Sequence, residues 1–208
     1  QYICQRAATA IISEIGPYKI SSDALQSVNQ FLDEVLYLLL KYANSLDLSI
    51  IKAQVLSLLP LSLGKNAIVE AELEVKTYTE TNVIDYAIYE NLRKINPSVI
   101  TLDQLFTILR HQCIECCTLA DKTTTPTTNV NKNNDDVITI SPMVVIYITT
   151  VLEHTAEYVL TTTAVTAENE NTEYVRNKEI YIALLDDVQV GELFRQTDIR
   201  MKLEVNQL

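Results

Sequence analysis

Residues 144–169 are the feature that most restricts the fold. They read VVIYITTVLEHTAEYVLTTTAVTAEN, with few charges and neither Gly nor Pro. Their β-branched content suggests a strand, but apolar and threonine side chains recur at three- and four-residue steps, which favours a helix. Ser141-Pro142 fits a helix start with Pro at its first position. A helix of about seven turns needs a partner for its apolar stripe, which comprises Val144, Val145, Ile148, Val151, Leu152, Thr155, Val159 and Thr162.

A second long amphipathic helix is predicted near the start of the chain. Ser21, Ser22 and Asp23 offer capping side chains at its start, and the helix is expected to run to about Leu46. Its apolar positions again recur at helical spacing and define a broad stripe. The stripe comprises Leu25, Val28, Phe31, Leu32, Val35, Leu36, Leu39 and Tyr42.

Shorter elements surround both long helices in the same order. In the first half, the pattern predicts helices at 3–15, 50–59 and 65–80, with extended links at 18–21 and 47–49. In the second half, Thr101 precedes a helix at 102–117, 137–141 and 172–176 are extended, and Asn177 precedes a short helix. A closing helix is expected at 191–203. The Thr- and Asn-rich segment 121–136 has no apolar periodicity and is predicted to be a flexible insert.

Composition restricts the class of protein. Hydrophobic residues make up 48% of the 208 positions, and only three Gly and five Pro occur, which is typical of long helices with a substantial core. The net charge is −11, and the basic residues are scattered apart from Arg93-Lys94, so binding to nucleic acid is not expected. Charged residues such as Lys41 and Glu153 interrupt the longest apolar stretches. The sequence therefore predicts a soluble chain without a membrane span of about 20 residues.

The cysteines allow two interpretations. Three of the four lie in HQCIECC at 111–117, beside His111, and these soft donors suggest a metal site. Zinc knuckles usually need a turn and a second ligand pair, whereas this segment continues a helical pattern. The alternative is that Cys113, Cys116 and Cys117 are small core residues in a reducing compartment.

A short helix, an extended link, a long helix, a second link and a short helix make up the histone fold, and this order occurs twice. IYITTVLEH at 146–154 resembles the long helix of nucleosomal histones. Together with SSDALQSVNQFLDEVLYLLL at 21–40, LRKINPSVITLDQL at 92–105 and the segment 173–194, it is similar to the amino-terminal tandem histone domain of the Son of sevenless family of Ras exchange factors. The likeness is collinear over nearly the whole chain.

The resemblance implies an all-α tandem histone fold that closes as an intramolecular head-to-tail pseudodimer. Residues 1–96 would form the first unit with an extra helix, residues 97–208 the second unit with the insert, and the two together one compact domain. Short strands should pair across the units because neither half satisfies these backbone groups alone. We expect Lys19-Ile20 beside Tyr174-Val175, and Asp47-Leu48 beside Thr139-Ile140.

The resemblance also implies a non-catalytic regulatory domain in a cytoplasmic signalling protein. Its partners would be adjacent domains of the same longer chain, and it would act peripherally at the plasma membrane if it binds acidic phospholipid. The segment 92–105 would be the connector between the two units. Its residues Arg93 and Lys94 are expected to contact a neighbouring domain or lipid. The alternative is a nuclear histone-fold subunit that serves as an assembly platform in a coactivator or chromatin complex.

Four carboxylates form a second candidate site. Glu153, Glu157, Asp186 and Asp187 suggest an acidic surface that binds basic peptides, with an ordinary solvated face as the alternative. His154 lies on the apolar stripe without a recognisable nucleophile or metal motif near it in sequence. No catalytic, cofactor or metal site is expected, and no cofactor is implied.

Overall fold

The computed structural model describes residues 1–122 and 138–207, and within them the chain is mostly helical. Two strands of two residues each accompany the helices in those residues. The prediction of a mainly helical, all-α chain is confirmed for the described residues. The elements are α1 Gln5–Ser13, β1 Lys19–Ile20, α2 Ser22–Ala43, α3 Leu48–Leu58, α4 Ser62–Thr81, α5 Tyr86–Asn91, α6 Leu102–Cys116, α7 Pro142–Asn169, β2 Tyr174–Val175, α8 Asn177–Leu185, α9 Gly191–Arg195 and α10 Asp198–Val205.

The two long helices begin where the sequence predicts. Ser21 caps α2 by accepting a hydrogen bond from the Ala24 N–H at 3.2 Å, and Pro142 stands at the first position of α7. Helix α2 packs against α7, and the apolar residues of their stripes belong to one hydrophobic core, except Tyr42, which is 47% exposed. Leu36 and Ile148 have no exposed surface in that core. Each long helix therefore buries its stripe partly against the other.

Short elements cross between the two halves of the chain. Helix α1 packs on α7, and α6 packs on α2. Strands β1 and β2 are parallel, with Lys19 opposite Tyr174 and Ile20 opposite Val175. The Ser21 N–H donates to the Val175 carbonyl at 3.0 Å. The predicted pairing of these two segments is confirmed.

The predicted strand pair of Asp47-Leu48 with Thr139-Ile140 is not present among the strands of the described residues. Asp47 caps α3 instead, and Leu48 is the first residue of that helix. The Leu46 N–H donates to the Leu92 carbonyl at 3.2 Å, so this backbone pairs with the connector. Helix α2 ends at Ala43, earlier than predicted, because Asn44 adopts a left-handed conformation with φ of 46°. Most of the predicted insert 121–136 lies outside the described residues.

Helix α8 begins one residue earlier than the sequence suggests. Arg176, not Asn177, is the capping residue, because the buried Glu179 carboxylate accepts the Arg176 N–H at 2.9 Å. Burial opposes ionisation of Glu179, but hydrogen bonds from Arg176 outweigh it and lower the pKa of Glu179. Asn177 accepts a hydrogen bond from the Ser27 hydroxyl at 2.7 Å and so ties α8 to α2.

The closing segment forms two helices instead of one. Helices α9 and α10 are separated at Gln196 and Thr197, and the Glu34 carboxylate of α2 accepts the first N–H groups of α10. Phe194 is fully buried, and its ring meets that of Phe31 edge to face at 6.0 Å. The closing segment therefore packs against α2 and α8.

By length and composition, α7 meets the criterion for a membrane-crossing helix. Its most apolar 18-residue window has a mean hydropathy of 1.2. About two thirds of that window (67%) is buried inside the protein. This burial is typical of the core helix of a soluble protein, which passes the same test.

Candidate functional site: an acidic cleft between two helices

Helix α4 lies along α7 and forms the most extensive helix pair of the described chain. Small residues make the close approach feasible, because Ala67 and Ala71 have no exposed surface. Beyond Ala71, α4 buries no further residue, and a cleft of about 640 Å³ opens beside α7. The cleft is lined by Glu70, Glu74, Thr77, Tyr78 and Thr81 of α4, Cys116 and Thr118 near the end of α6, and Ile146, Thr149, Thr150, Glu153, His154 and Glu157 of α7.

Of the residues that the structure describes, four carboxylates and no Lys or Arg line this cleft. Glu70 and Glu74 are one helical turn apart on α4, as Glu153 and Glu157 are on α7, so each helix contributes one acidic pair. Glu157 is exposed as a residue, but partial desolvation of its carboxyl in the cleft raises its pKa; the nearby His154 opposes this, and the negative charges of Glu153, Glu14 and Glu70 add to it. The carboxylates thus repel one another, and a cation in the cleft would relieve that repulsion.

Glu153 is held in place by the segment after α6. Its two carboxylate oxygens accept from the Thr118 N–H at 3.0 Å and the Thr118 hydroxyl at 3.1 Å. These bonds fix one wall of the cleft while Glu70, Glu74 and Glu157 stay exposed. His154 is half-buried in the same wall.

The four acidic residues predicted from sequence have different partners in the structure, and a shared acidic surface stays a prediction. Glu153 and Glu157 lie in the cleft, whereas Asp187 accepts hydrogen bonds from the Tyr158 hydroxyl at 2.9 Å and from the Val190 N–H at 3.0 Å. Burial and the bond to Asp187 raise the pKa of Tyr158 to about 12. Asp186 pairs with Arg195 at 3.3 Å.

Sequence reasoning missed Glu70 and Glu74. Their four-residue spacing was visible, but α4 carries acidic residues around most of its circumference. The pattern therefore does not reveal which face of α4 meets α7.

The connector pair Arg93-Lys94 divides into two environments. The Arg93 guanidinium donates from Nε to the Asp47 carboxylate at 2.8 Å and also pairs with Glu90 at 3.1 Å. The Arg93 carbonyl accepts from the Ser45 hydroxyl. Arg93 thus anchors the connector to the start of α3, whereas Lys94 is exposed and has no ion pair within the described chain. Contact with a neighbouring domain or acidic phospholipid stays a prediction, and Lys94 is the freer of the two residues.

Removing the Asp47 carboxylate should destabilise the protein. Asp47→Ala removes the cap of α3, in which Asp47 accepts from the Ser49 N–H at 2.9 Å, and should cost about 1 to 2 kcal/mol. Asp47→Asn is the control, because it keeps a capping oxygen but loses the charge. Urea unfolding followed by circular dichroism measures both effects.

Asp47 should also make the stability of the protein depend on pH. The hydrogen bond from Ser49 is the largest of the influences that lower the pKa of Asp47 from 3.8 to about 2; Arg93 adds to it, and burial opposes both. A carboxylate with a lowered pKa stabilises the fold above pH 3.8, and the contribution is lost as the pH falls toward 2. The stability difference between wild type and Asp47→Asn should shrink over that interval. A difference that is unchanged down to pH 2 would contradict this account.

Cys113 and Cys117 are packing residues in the structure, whereas Cys116 is exposed, so the expectation of a core residue is wrong for Cys116. All four are free thiols, and Cys113 and Cys117 are buried. Burial raises the pKa of both buried thiols to about 12, so they stay protonated and unreactive at neutral pH. The Cys117 thiol donates to the Tyr2 carbonyl at 3.1 Å. Residues 1–122 and 138–207 contain no group of three or more His, Cys, Asp or Glu that would hold a metal ion.

No protein-family model matches the chain, and no curated protein is significantly similar to it. The residues of the cleft and the arrangement of the helices therefore carry the functional argument.

Proposed function

We propose that the chain is a tandem histone-fold domain that acts as a non-catalytic regulatory module of a Ras-type exchange factor or similar large signalling protein. Helices α1, α2 and α3 would form one histone unit, and α6, α7 and α8 the other. The crossing of α2 with α7 and the pairing of β1 with β2 support this assignment. The contacts of α1 with α7 and of α6 with α2 support it as well, because a head-to-tail pair would bring each of these helices against the long helix of the other unit.

In this proposal, the acidic cleft is the docking site for a basic segment of an adjacent domain. The observation that carries it is the cleft's charge: among residues 1–122 and 138–207, four carboxylates from two helices line it without a Lys or Arg. The carboxylates would attract a basic segment and repel an acidic one. The cleft would thereby favour the correct partner over others. Docking would regulate the neighbouring domain by favouring whichever of its states presents the basic segment.

The proposal predicts a loss of affinity on neutralising the cleft. The triple variant Glu70→Gln, Glu74→Gln and Glu157→Gln changes three exposed side chains and should leave the fold intact. Its affinity for a fluorescent dodecapeptide of alternating Arg and Ser should fall about tenfold, which corresponds to about 1.4 kcal/mol. Fluorescence anisotropy in 50 mM and 150 mM salt measures it, and wild-type binding should weaken at the higher salt.

The matched control removes the same charge elsewhere. Glu80, Glu168 and Glu173 are exposed and lie outside the cleft, so their replacement by Gln should change the affinity less than twofold. Equal losses in both triple variants would show that the net charge of −11 attracts the peptide and that the cleft is no site. The regulatory role requires in addition that the domain bind the remainder of its parent chain, and failure of that binding would favour the coactivator alternative.

A further inference from the structure

A second pocket lies on α2, away from the residues of the acidic cleft. It is an open pocket with a volume of about 410 Å³, lined by α2, α6, the start of α10 and Gln196 before it. It shares no lining residue with the cleft. Its lining comprises Asp33, Glu34, Tyr37, Leu38, Phe106, Gln196 and Asp198.

Two aromatic rings form a corner of this pocket. Tyr37 of α2 and Phe106 of α6 have ring centroids 5.6 Å apart and planes at 80°. Both side chains are only partly buried, so each ring contributes surface to the pocket. Leu38 adds an aliphatic wall. Aromatic ring faces attract cations, and proteins bind alkylated ammonium groups among aromatic side chains.

The carboxylates supply negative charge but few free acceptor positions. The Asp33 carboxylate accepts from Arg110 at 2.7 Å, and Glu34 accepts the Asp198 N–H at 2.5 Å and the Ile199 N–H at 3.0 Å. The Asp198 side chain is exposed and has no ion pair in the described part of the chain. The pocket is therefore anionic, yet two of its three carboxylates already bind partners.

No cation of the described residues occupies the aromatic corner. The Arg110 guanidinium lies 6.0 Å from the ring of Tyr2, and neither Tyr37 nor Phe106 has a guanidinium or ammonium group over its ring there. A primary ammonium needs several acceptors to replace its water, and this pocket offers mainly Asp198. An alkylated ammonium needs none, because its methyl groups bury against rings while its charge is attracted by both carboxylates and rings.

We propose that the Tyr37–Phe106 pocket binds an alkylated ammonium group, such as trimethyllysine or choline. The attraction is that of a diffuse cation for the uncovered surface of the two rings and for the carboxylates of Glu34 and Asp198, since Arg110 offsets the charge of Asp33. This site does not depend on the acidic cleft or on its docking function.

Choline and its neutral isostere 3,3-dimethylbutan-1-ol test the proposal. Titrations of wild-type protein, followed by NMR of the aromatic side chains, should show choline binding at least tenfold more tightly than the alcohol. Comparable affinities for the two would overturn the proposal, because the pocket would then be merely apolar. Absence of binding by every cationic probe at millimolar concentration would overturn it as well.

Variants locate the binding. Tyr37→Leu and Phe106→Leu should each weaken choline binding about tenfold, and Asp198→Asn, an exposed change, should weaken it severalfold without altering thermal stability. Tyr86→Leu is the aromatic control, because Tyr86 is 61% exposed and lies outside the pocket. Equal weakening by Tyr86→Leu, or unchanged binding in Asp198→Asn together with both leucine variants, would contradict the assignment.

A second arm distinguishes the source of the ammonium group. A peptide with a central trimethyllysine is compared with the same peptide carrying unmodified lysine and with free choline. Preference for the trimethylated peptide over both would assign the pocket to a methylated protein segment. Equal binding of choline and the trimethylated peptide would assign it to a free or lipid-borne choline group, whereas preference for unmodified lysine would refute the proposal.

Discussion

Replacing Ile148 by Ala is expected to lower the free energy of unfolding by about 3 to 4 kcal/mol, because truncating a buried isoleucine loses apolar burial and leaves a cavity. Ile148 lies on α7 and has no exposed surface in the core that this helix shares with α2. Because one core serves both halves, the whole molecule should unfold at lower denaturant in a single transition. Urea unfolding observed by far-ultraviolet circular dichroism and by amide NMR signals from each half measures this.

Ile182 provides the matched control. It belongs to the second half, like Ile148, but it lies on α8 and is 41% exposed. Ile182→Ala removes the same atoms and should cost less than about 1 kcal/mol. Signals of α2 that keep their wild-type midpoint in Ile148→Ala, while those of α7 shift, would contradict a shared core.

Substituting Gly64 by Ala should destabilise the protein by about 3 kcal/mol or more. Gly64 lies in the first turn of α4, where a Cβ atom would come within 1.9 Å of the Leu59 carbonyl oxygen. Alanine normally stabilises a helix by about 1 kcal/mol relative to glycine. Here the clash with backbone outweighs that gain, because neither α4 nor the end of α3 can move without losing core contacts. Thermal unfolding of Gly64→Ala measures the net effect.

Gly16 is the control for that substitution. A Cβ atom at Gly16 would meet only the ring of Tyr18, at 2.6 Å, and a side chain can move away. Gly16→Ala should therefore change the stability little. Since Gly64 sets the course of α4, Gly64→Ala should also weaken the basic peptide at the acidic cleft. A variant as stable as wild type would show that α4 does not approach Leu59 as closely as the structure has it.

The sequence predicted best those elements whose signal lies within one segment of the chain. The two long helices could be predicted because their stripes repeat over many turns, and Ser21 and Pro142 mark their starts. The pairing of β1 with β2 was inferred from the resemblance to tandem histone domains, since two-residue strands give almost no periodic signal of their own.

The remaining features depend on contacts between distant segments. Asp47 was assigned to an extended link, but its carboxylate caps α3 and binds Arg93, a residue 46 positions away. The acidic cleft depends on which face of α4 meets α7, and the aromatic corner joins Tyr37 to Phe106 from different helices. No local pattern specifies such pairs. The identity of one side chain does not reveal which other segment of the chain it will contact.

Separate preparation of the two halves tests the central claim most directly. Each of the segments 1–96 and 97–208 would keep one long helix but lose part of what covers it. Segment 97–208 would lose α1 and α4, which pack on α7, and segment 1–96 would lose α6, which packs on α2. Each would also lose the partner of its strand and one side of the shared core. Circular dichroism with urea unfolding should show little cooperative structure in either segment alone, and mixing them should restore helix content and one unfolding transition. A half that unfolds cooperatively by itself, with native helix content and no change on mixing, would contradict the shared core.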